Sequence, residues 1–523
     1  MTRLKHYLNG TWVDGDGEGS SLHDPVSGEQ LARVSGDGLD LRAALAYGRS
    51  RGGAALRAMS YGERAAMLRA VADVLVANRD RYHEISVRNS GSTAVDVAFD
   101  VDGGIGVLKY YASIGKAMGE ARYLMEPEVD RLGRDEAFQT AHLWTPVQGI
   151  AVHINAFNFP AWGLWGKVAV ALLSGVPVFA KPATATAWVA YEMVKDVVDA
   201  GVLPDGALSL LCSGGRDLMD LVGAQDVVAF TGSAATAETL RANPNVIAAN
   251  LRFNVEADSL NAALLGPDVQ PGSAEFDGFI KEVAREISVK AGQKCTAIRR
   301  VLVPAACIDA VEEALKARLA KLAVGDPRNE AVRMGPLVSK AQQQAAWAGL
   351  ERLRAEARVV FGGEADFPLL DADHNAGCFF PPTLLRSDDP DTGRAVHEVE
   401  VFGPVATLIP YRDGDHAVAL AARGGGSLVA SVFTGDDAFA TAAALGIGAF
   451  HGRVAIVNEP VIKSNPGHGV VMPQCIHGGP GRAGGGEELG GQRALRFYHQ
   501  RTAVQASLER LQAMQAGAAI FSA

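Results

Sequence analysis

From residue 149 onward the chain alternates short, continuous apolar runs with stretches of helical periodicity: "GIAVHI", then 161–174, "VPVFA", then 187–200, "LSLLC", then 215–224, then "VVAFTG". Runs that are apolar throughout, rather than at every second residue, belong to strands covered on both faces, and helices between them imply βαβ units in a parallel sheet. The pattern predicts a doubly wound α/β layer. A second series follows: a helix ending near Gly292, "RRVLV", a helix over 308–322, "RVVFGG", "VATLIPY", "SLVASVF" and "RVAIVNE". Two series in succession predict two α/β domains with a boundary near residue 260. Upstream, "SYGE" at Ser60 to Glu63 has capping-box spacing, and Met67, Val71, Val74 and Leu75 follow at helical intervals, so an amphipathic helix is predicted there. The segments 136–146 and 495–504 alternate more polar with apolar positions, which predicts strands outside the main sheets, suited to subunit contact. The tail after 505 reads as helical.

Charge and cysteine usage exclude several classes of function. The 49 basic and 59 acidic residues give a net charge of −10, with no basic stripe to neutralise a phosphate backbone, so nucleic acid is not an expected partner. The first residues, "MTRLKHYLNGTWVDG", contain no apolar leader, and the most apolar run, Val168 to Ala180, is interrupted by Gly175 and Pro177. A soluble, cytoplasmic protein without membrane contact is expected. The five cysteines are odd in number, widely spread and without a C-x-x-C pair, which argues against a disulfide framework and against a metal site.

Several residues sit where chemistry or plain structure could use them. Cys295, in "VKAGQKCTAIRR", follows an apparent helix end instead of lying inside an apolar run; it reads as a nucleophile beside the positive charge of Lys294, or as a small buried hydrophobe. Glu256 interrupts the strand-like "LRFNVEADSLNAALL", where a half-buried carboxylate with a raised pKa suits a general base, and a solvated strand end is the plain alternative. Asn158 lies between a predicted strand end and a helix start, as a helix cap or as a donor aimed into a cleft. Lys181 and Thr184 follow the strand in "FAKPATAT", where a lysine and a hydroxyl suit a phosphorylated ribose or an ordinary turn. Gly232 and Ser233 join a strand to a helix whose free N–H groups would attract a phosphate. A literal G-x-G-x-x-G at Gly479, Gly481 and Gly484 has no strand leading into it and contains Pro480, so it reads as a decoy or as a loop over a site.

Taken in order, "FNFP", "FAKP", "FTGS", a glutamate after a strand, "GQKC", "EVEVFGPV" and a late "EELGG" resemble the aldehyde dehydrogenase superfamily along nearly the whole chain. The resemblance implies a Rossmann-like cofactor domain (1–135 and 149–259), a catalytic domain (260–470) and a small β oligomerisation element (136–148 and 483–505) in a homodimer. It implies Cys295 as nucleophile, Glu256 as base, and Asn158 with the Cys295 N–H as oxyanion hole. Lys181 and Thr184 match ribose contacts, Gly232 and Ser233 the phosphate turn, and Glu400 and Phe402 nicotinamide-ribose contacts. Lys167 and Glu488 match positions associated with proton relay, with Glu487 as the alternative to Glu488.

Three departures from the family pattern bear on the cofactor. Many members carry a glutamate where this chain has Thr184; a carboxylate there would repel a 2′-phosphate, whereas a threonine hydroxyl can donate to one, so NADP is favoured over NAD. "EADSLN" replaces the usual Glu-Leu-Gly-Gly-Lys, and Ala237 stands where glycine is common. The segments "GHGVVMPQCIHGGPGRAGGGEELGG" and "RFYHQRTAVQ" further resemble the dehydrogenases of aerobic phenylacetyl-CoA and benzoyl-CoA breakdown, whose aldehyde is carried on a coenzyme A thioester. The implied reaction is oxidation of a CoA-linked semialdehyde, with 3,4-dehydroadipyl-CoA semialdehyde as the substrate implied for a chain without a fused hydratase domain. Other readings are a dehydrogenase for a different aliphatic or aromatic aldehyde, an acylating enzyme that passes the acyl group to free coenzyme A, and a catalytically silent binding protein on the same fold.

Overall fold

The computed structural model describes residues 2–135, 137–215 and 217–521. Its first large sheet runs, from edge to edge, Arg252–Glu256, Val227–Thr231, Ala151–Ile154, Val178–Lys181, Leu208–Leu210, His6–Leu8 and Thr11–Val13. The first five strands are parallel and the last two join antiparallel. All four residues of Ala151–Ile154 except the last are buried, as a continuous apolar run requires when both faces are covered. One face packs against the helices Tyr61–Ala77, Ala94–Met118, Trp162–Leu173 and Ala187–Asp199, and the other buries Leu45, Leu218 and Val246. The helix starting at Tyr61 is closed by the predicted capping box: Ser60 Oγ accepts from Glu63 N and Glu63 Oε2 accepts from Ser60 N. The predicted helix over 215–224 is a four-residue 3-10 turn, Leu218–Leu221, in the described part of that segment. Glycines at 214, 215 and 223 leave it too short for a full helical stretch.

The second sheet has the order Arg358–Phe361, Thr383–Arg386, Val405–Tyr411, Arg300–Pro304, Ala262–Leu265, Ser427–Phe433 and His451–Val457. It is parallel except for its first edge strand, which pairs antiparallel with Thr383–Arg386. Separate apolar clusters fill its two faces. Together the two sheets establish an α/β fold of doubly wound type.

A third sheet pairs Gln139–Pro146 with His499–Ala506 over eight residues and adds Leu124–Met125, Asp130–Arg131 and Ala519–Ile520. The predicted strand at 136–146 thus begins at Gln139, and Glu136 lies outside the described residues. The strand predicted at 495–504 begins only at His499, because Gly491–Tyr498 forms a 3-10 stretch that buries Ala494, Leu495 and Tyr498. Residues 483–498 therefore turn back toward the first sheet, and only the stretch from His499 enters the third.

Candidate active site

The first sheet reverses its winding between Ala151–Ile154 and Val227–Thr231, and in such sheets the crevice beyond the strands' carboxyl ends receives ligands. Asn155, Ala156 and Asn158 from the first of these strand ends, and Thr231 from the second, line one pocket together with Glu256 and Cys295. Asn158 is not a helix cap. The helix Trp162–Leu173 is capped from a distance by the Asp100 carboxylate, which accepts from Ala161 N (3.3 Å) and Trp162 N (2.8 Å). With the cap supplied by another helix, the Asn158 amide is left to face the pocket.

The loop that carries Cys295 is built by backbone strain. After Ala274–Ser288 the residues Lys290, Ala291 and Gly292 take φ of +52°, +51° and +67°. Gly292 is required sterically, since a Cβ there would come within 2.2 Å of the Gly403 carbonyl oxygen. Lys290 and Ala291 adopt the same conformation at a cost of about 1–3 kcal/mol each. Lys290 is held by its N–H donating to Asp96 Oδ2 (3.1 Å) and by its ammonium lying 4.5 Å from the Phe159 ring centroid. Asn261 Nδ2 then donates to the carbonyls of Cys295 (2.8 Å) and Ala297 (3.0 Å), which fixes the turn that presents the sulfur.

Two electrostatic expectations are corrected. Lys294 still draws the thiol pKa down, but its Nζ is bonded to both oxygens of Glu286 at 2.7 and 2.8 Å, with both side chains buried, and its pull is outweighed. Burial and then the neighbouring Glu256 carboxylate push the Cys295 thiol well above its ordinary range. Glu256 does not have the raised pKa expected of a half-buried carboxyl. Burial alone would raise it, but His477, whose Nε2 lies 3.1 Å from Glu256 Oε2, together with Lys167 holds it below the ordinary carboxylate range. A carboxylate oxygen of Glu256, the Cys295 sulfur and a ring nitrogen of His477 all lie within 4.8 Å of one another.

His477 was not singled out from the sequence, and the glycine-rich run explains how it arrives. Ile476–Gly478 pairs antiparallel with Glu487–Leu489, His477 directly opposite Glu488, so the two side chains share one face of a hairpin. Between them the chain lies flat on the strand that ends in Glu256: Gly486 N donates to Val255 O (3.0 Å), and a Cβ at Gly484 or Gly486 would sit 2.3 Å from that same oxygen. The glycines permit close approach of two backbones, and the G-x-G-x-x-G is no phosphate loop. The histidine beside the glycine run was the available signal, but nothing in local spacing connects it with Glu256.

The same hairpin delivers Glu488. Its Oε2 lies 3.2 Å from Lys167 Nζ, which also donates to Thr231 Oγ1 (3.0 Å), and its Oε1 accepts from Asn254 Nδ2 (3.1 Å). Glu487 is exposed, and its backbone N–H is bound by Asn254. The remaining wall is apolar, with Phe99, Phe159 and Trp162 in edge-to-face contact at centroid distances of 5.2–6.0 Å, and with Val471 and Leu489 beside them. A thiol, a carboxylate and amide donors at the foot of a greasy pocket can carry acyl chemistry on an extended apolar substrate.

Residues 12–504 match the aldehyde dehydrogenase family. The chain belongs to this family. It is 56% identical over 478 residues to a 3,4-dehydroadipyl-CoA semialdehyde dehydrogenase of Aromatoleum evansii, a match covering 91% of this chain and 93% of that one. It is 28% identical over 442 residues to a betaine aldehyde dehydrogenase of Vibrio vulnificus, covering 83% and 86% of the two chains. Among solved structures, the betaine aldehyde dehydrogenase of Staphylococcus aureus in complex with NAD+ matches with a TM-score of 0.84 at 24% identity, over 96% of this chain and 95% of that one, a likeness of fold.

Aldehyde dehydrogenases of this fold take a nicotinamide dinucleotide, and the polar groups near the crevice fit one in part. Among the described residues the Lys181 ammonium reaches only its neighbour's carbonyl, Pro182 O at 3.4 Å. The half-buried Glu400 has its pKa raised to about 7, chiefly by burial against the pull of Arg299, whose Nε lies 3.9 Å from Oε1; its Oε2 accepts from Ser259 N (3.2 Å), while Oε1 has no hydrogen-bond partner among the described residues. Phe402 packs edge-on to Phe157 at 5.7 Å, and Thr184 opens a short 3-10 turn just past Lys181. Gly232 cannot carry a side chain without touching the Phe230 ring, 2.5 Å from the position of a Cβ. The expectation of free N–H groups at the following helix is corrected. Ser233 Oγ accepts from Thr236 N (3.3 Å), and Ala234 N donates to Asp258 Oδ1 (2.9 Å). Asp258 belongs to the "EADSLN" departure, so that change places a carboxylate where a phosphate would otherwise meet open donors.

Proposed function

We propose that this aldehyde dehydrogenase oxidises a coenzyme A-linked semialdehyde, of the 3,4-dehydroadipyl-CoA semialdehyde type formed in aerobic benzoate degradation, to the carboxylic acid with NADP. The observation that carries the chemistry is the Glu256 carboxylate beside the Cys295 thiol at the foot of an apolar pocket that Asn158 also lines. The substrate class is supported by the 56% identity to the Aromatoleum enzyme over nearly both chains. NADP is supported by Thr184 beside Lys181, since a hydroxyl and an ammonium can both donate to a 2′-phosphate.

Glu256 takes the thiol proton as Cys295 Sγ attacks the aldehyde carbon. The Asn158 amide and the Cys295 N–H donate to the oxygen that becomes negative, a contribution of about 3–4 kcal/mol per donor in comparable sites. The bound cofactor supplies the hydride acceptor. Loss of hydride from the tetrahedral carbon leaves a thioester on Cys295. Glu256 then removes a proton from water, the new C–O bond forms, the C–S bond breaks, and the acid departs with the sulfur restored. Each turnover passes one proton from the thiol and one from water through Glu256. His477 on Oε2 and the Lys167–Glu488 pair are the groups able to move those protons outward. The base argues for release to water over transfer to free coenzyme A.

Residues 500–503 of the eight-residue edge strand His499–Ala506 are exposed. An uncovered strand of that length calls for a partner, which supports a homodimer. Among the described residues no helix is long and apolar enough to cross a membrane.

The test is intact mass after adding substrate and NADP to Glu256→Gln. An acyl adduct on Cys295 is expected to accumulate, and Cys295→Ser should lose turnover while still binding the cofactor. A Glu256→Gln protein that turns over slowly without any adduct would overturn the role of the carboxylate in deacylation.

A further inference from the structure

Away from the reaction pocket, the helices Ala274–Ser288 and Ile308–Leu319 and the segment that follows them enclose an open cavity of about 640 Å³. Its rim carries Lys281, Arg285, Arg318, Lys321 and Arg333, and no acidic side chain lines it among the described residues. That is unusual in a chain whose acids outnumber its bases by ten, the net charge being −10. Of the five, Arg285 alone is in an ion pair among the described residues, a loose one with Glu282 at 4.0 Å. Arg333 is otherwise engaged only with the carbonyls of Glu330 and Val332. The floor is apolar, formed by Ile280, Leu319 and Leu322 with small alanines beside them.

The cavity is connected to the active site through one short segment. Arg285 Nη1 donates to Pro466 O (2.9 Å), and Glu282 Oε1 accepts from His468 N (2.7 Å). The next residue, Gly469, lines the pocket that holds Cys295. The 466–469 segment therefore runs from Arg285, on the rim of the cavity, to the pocket that holds Cys295. A helical rise of about 1.5 Å per residue puts Lys281 about 10 Å from Ser288 along the helix that leads to the Cys295 loop.

We propose that this groove binds the phosphorylated adenosine end of the coenzyme A carried by the substrate, with the adenine on the apolar floor and the phosphates on the basic rim, while the acyl arm runs along the 466–469 segment to reach Cys295. The proposal rests on the CoA-linked reading of the substrate given above. The four exposed cations outside any ion pair among the described residues attract a polyanion without first breaking one, and an apolar floor suits a heterocycle. A bare phosphate would use the rim alone, whereas coenzyme A uses both rim and floor.

The test compares the wild-type protein with Arg318→Glu/Lys321→Glu and with the milder Arg318→Ser/Lys321→Ser. kcat/KM is measured for a six-carbon CoA-linked semialdehyde and for hexanal, and calorimetry is run with coenzyme A, with dephospho-coenzyme A and with inorganic phosphate. The ratio of kcat/KM for the CoA-linked to the free aldehyde should fall about tenfold or more in the charge-reversed protein, and coenzyme A should bind the wild type more tightly than either control. In the wild type that ratio should also fall as ionic strength rises. A ratio that stays within about twofold of wild type in both variants, or coenzyme A binding unchanged by them, overturns the groove assignment. Binding of inorganic phosphate as tight as that of coenzyme A overturns it as well. A wild-type enzyme that does not prefer the CoA-linked aldehyde overturns the substrate reading instead, and the binding experiment still decides the groove on its own.

Discussion

His477 Nε2 lies 3.1 Å from Glu256 Oε2, so the carboxylate nearest the reactive sulfur is held from behind by an imidazole on a hairpin. The contact keeps Glu256 ionised in a place where burial alone would protonate it. Among the described residues Oε1 of Glu256 has no hydrogen-bond partner, which leaves one oxygen of the base free for a thiol or a water.

Replacing His477 by Phe removes the imidazole whose hydrogen bond and field depress Glu256. A depressed carboxyl stays ionised well into acid, so the acid limb of the wild-type kcat profile lies low. In His477→Phe that limb moves to higher pH, and activity at pH 5 relative to pH 8 drops further than in the wild type. Added imidazole should restore part of the activity of His477→Ala at low pH. A pH profile superimposable on the wild type in both variants would show that the contact has no part in catalysis.

The Glu256 carboxylate is the second cause, after burial, of the high thiol pKa of Cys295. Glu256→Gln removes that charge, so the thiolate forms at lower pH and Cys295 should alkylate with iodoacetamide several-fold faster at pH 7, even as turnover falls by about 10²–10⁴-fold. Rates of alkylation followed by mass spectrometry check this; slower labelling in the variant counts against it.

At the proposed ribose position, Thr184→Glu introduces a carboxylate three residues after Lys181. The ratio of kcat/KM for NADP to that for NAD should drop by about tenfold or more, since like charges repel a 2′-phosphate directly. An unchanged ratio would mean that the 2′-position is recognised elsewhere.

Lys294 and Glu286 form a buried pair with little solvent at either end. Lys294→Met strands the carboxylate and should destabilise the protein by about 3–5 kcal/mol, while Lys294→Met/Glu286→Met should recover much of that loss. The urea unfolding midpoints of the three proteins decide it, and a single variant as stable as the double would refute the assignment.

Much of the architecture was legible because it rests on local pattern. The largely apolar runs at 151–154, 178–181 and 227–231, alternating with helical stretches, read as doubly covered strands and form them, and Ser60 with Glu63 announced a helix start that forms as expected. Local signals misled where a distant group took over a local task. Asp100 caps the helix that Asn158 could have capped, which leaves Asn158 the cleft-facing role, and Glu286 binds Lys294, whose pull on Cys295 is outweighed by burial and Glu256.

The order of residue types along the chain determined which groups this protein possesses: a cysteine after a helix end, a glutamate closing a strand, a threonine where many relatives have a carboxylate. Covalent neighbours and periodicity are enough for that, since burial and chain direction follow from them. Only the tertiary structure decided how those groups are charged and what touches them. Ionisation depends on burial and on atoms a few ångströms away through space, and here the deciding atoms belong to His477, Asp100 and Glu286, none of which adjoins in sequence the group it governs.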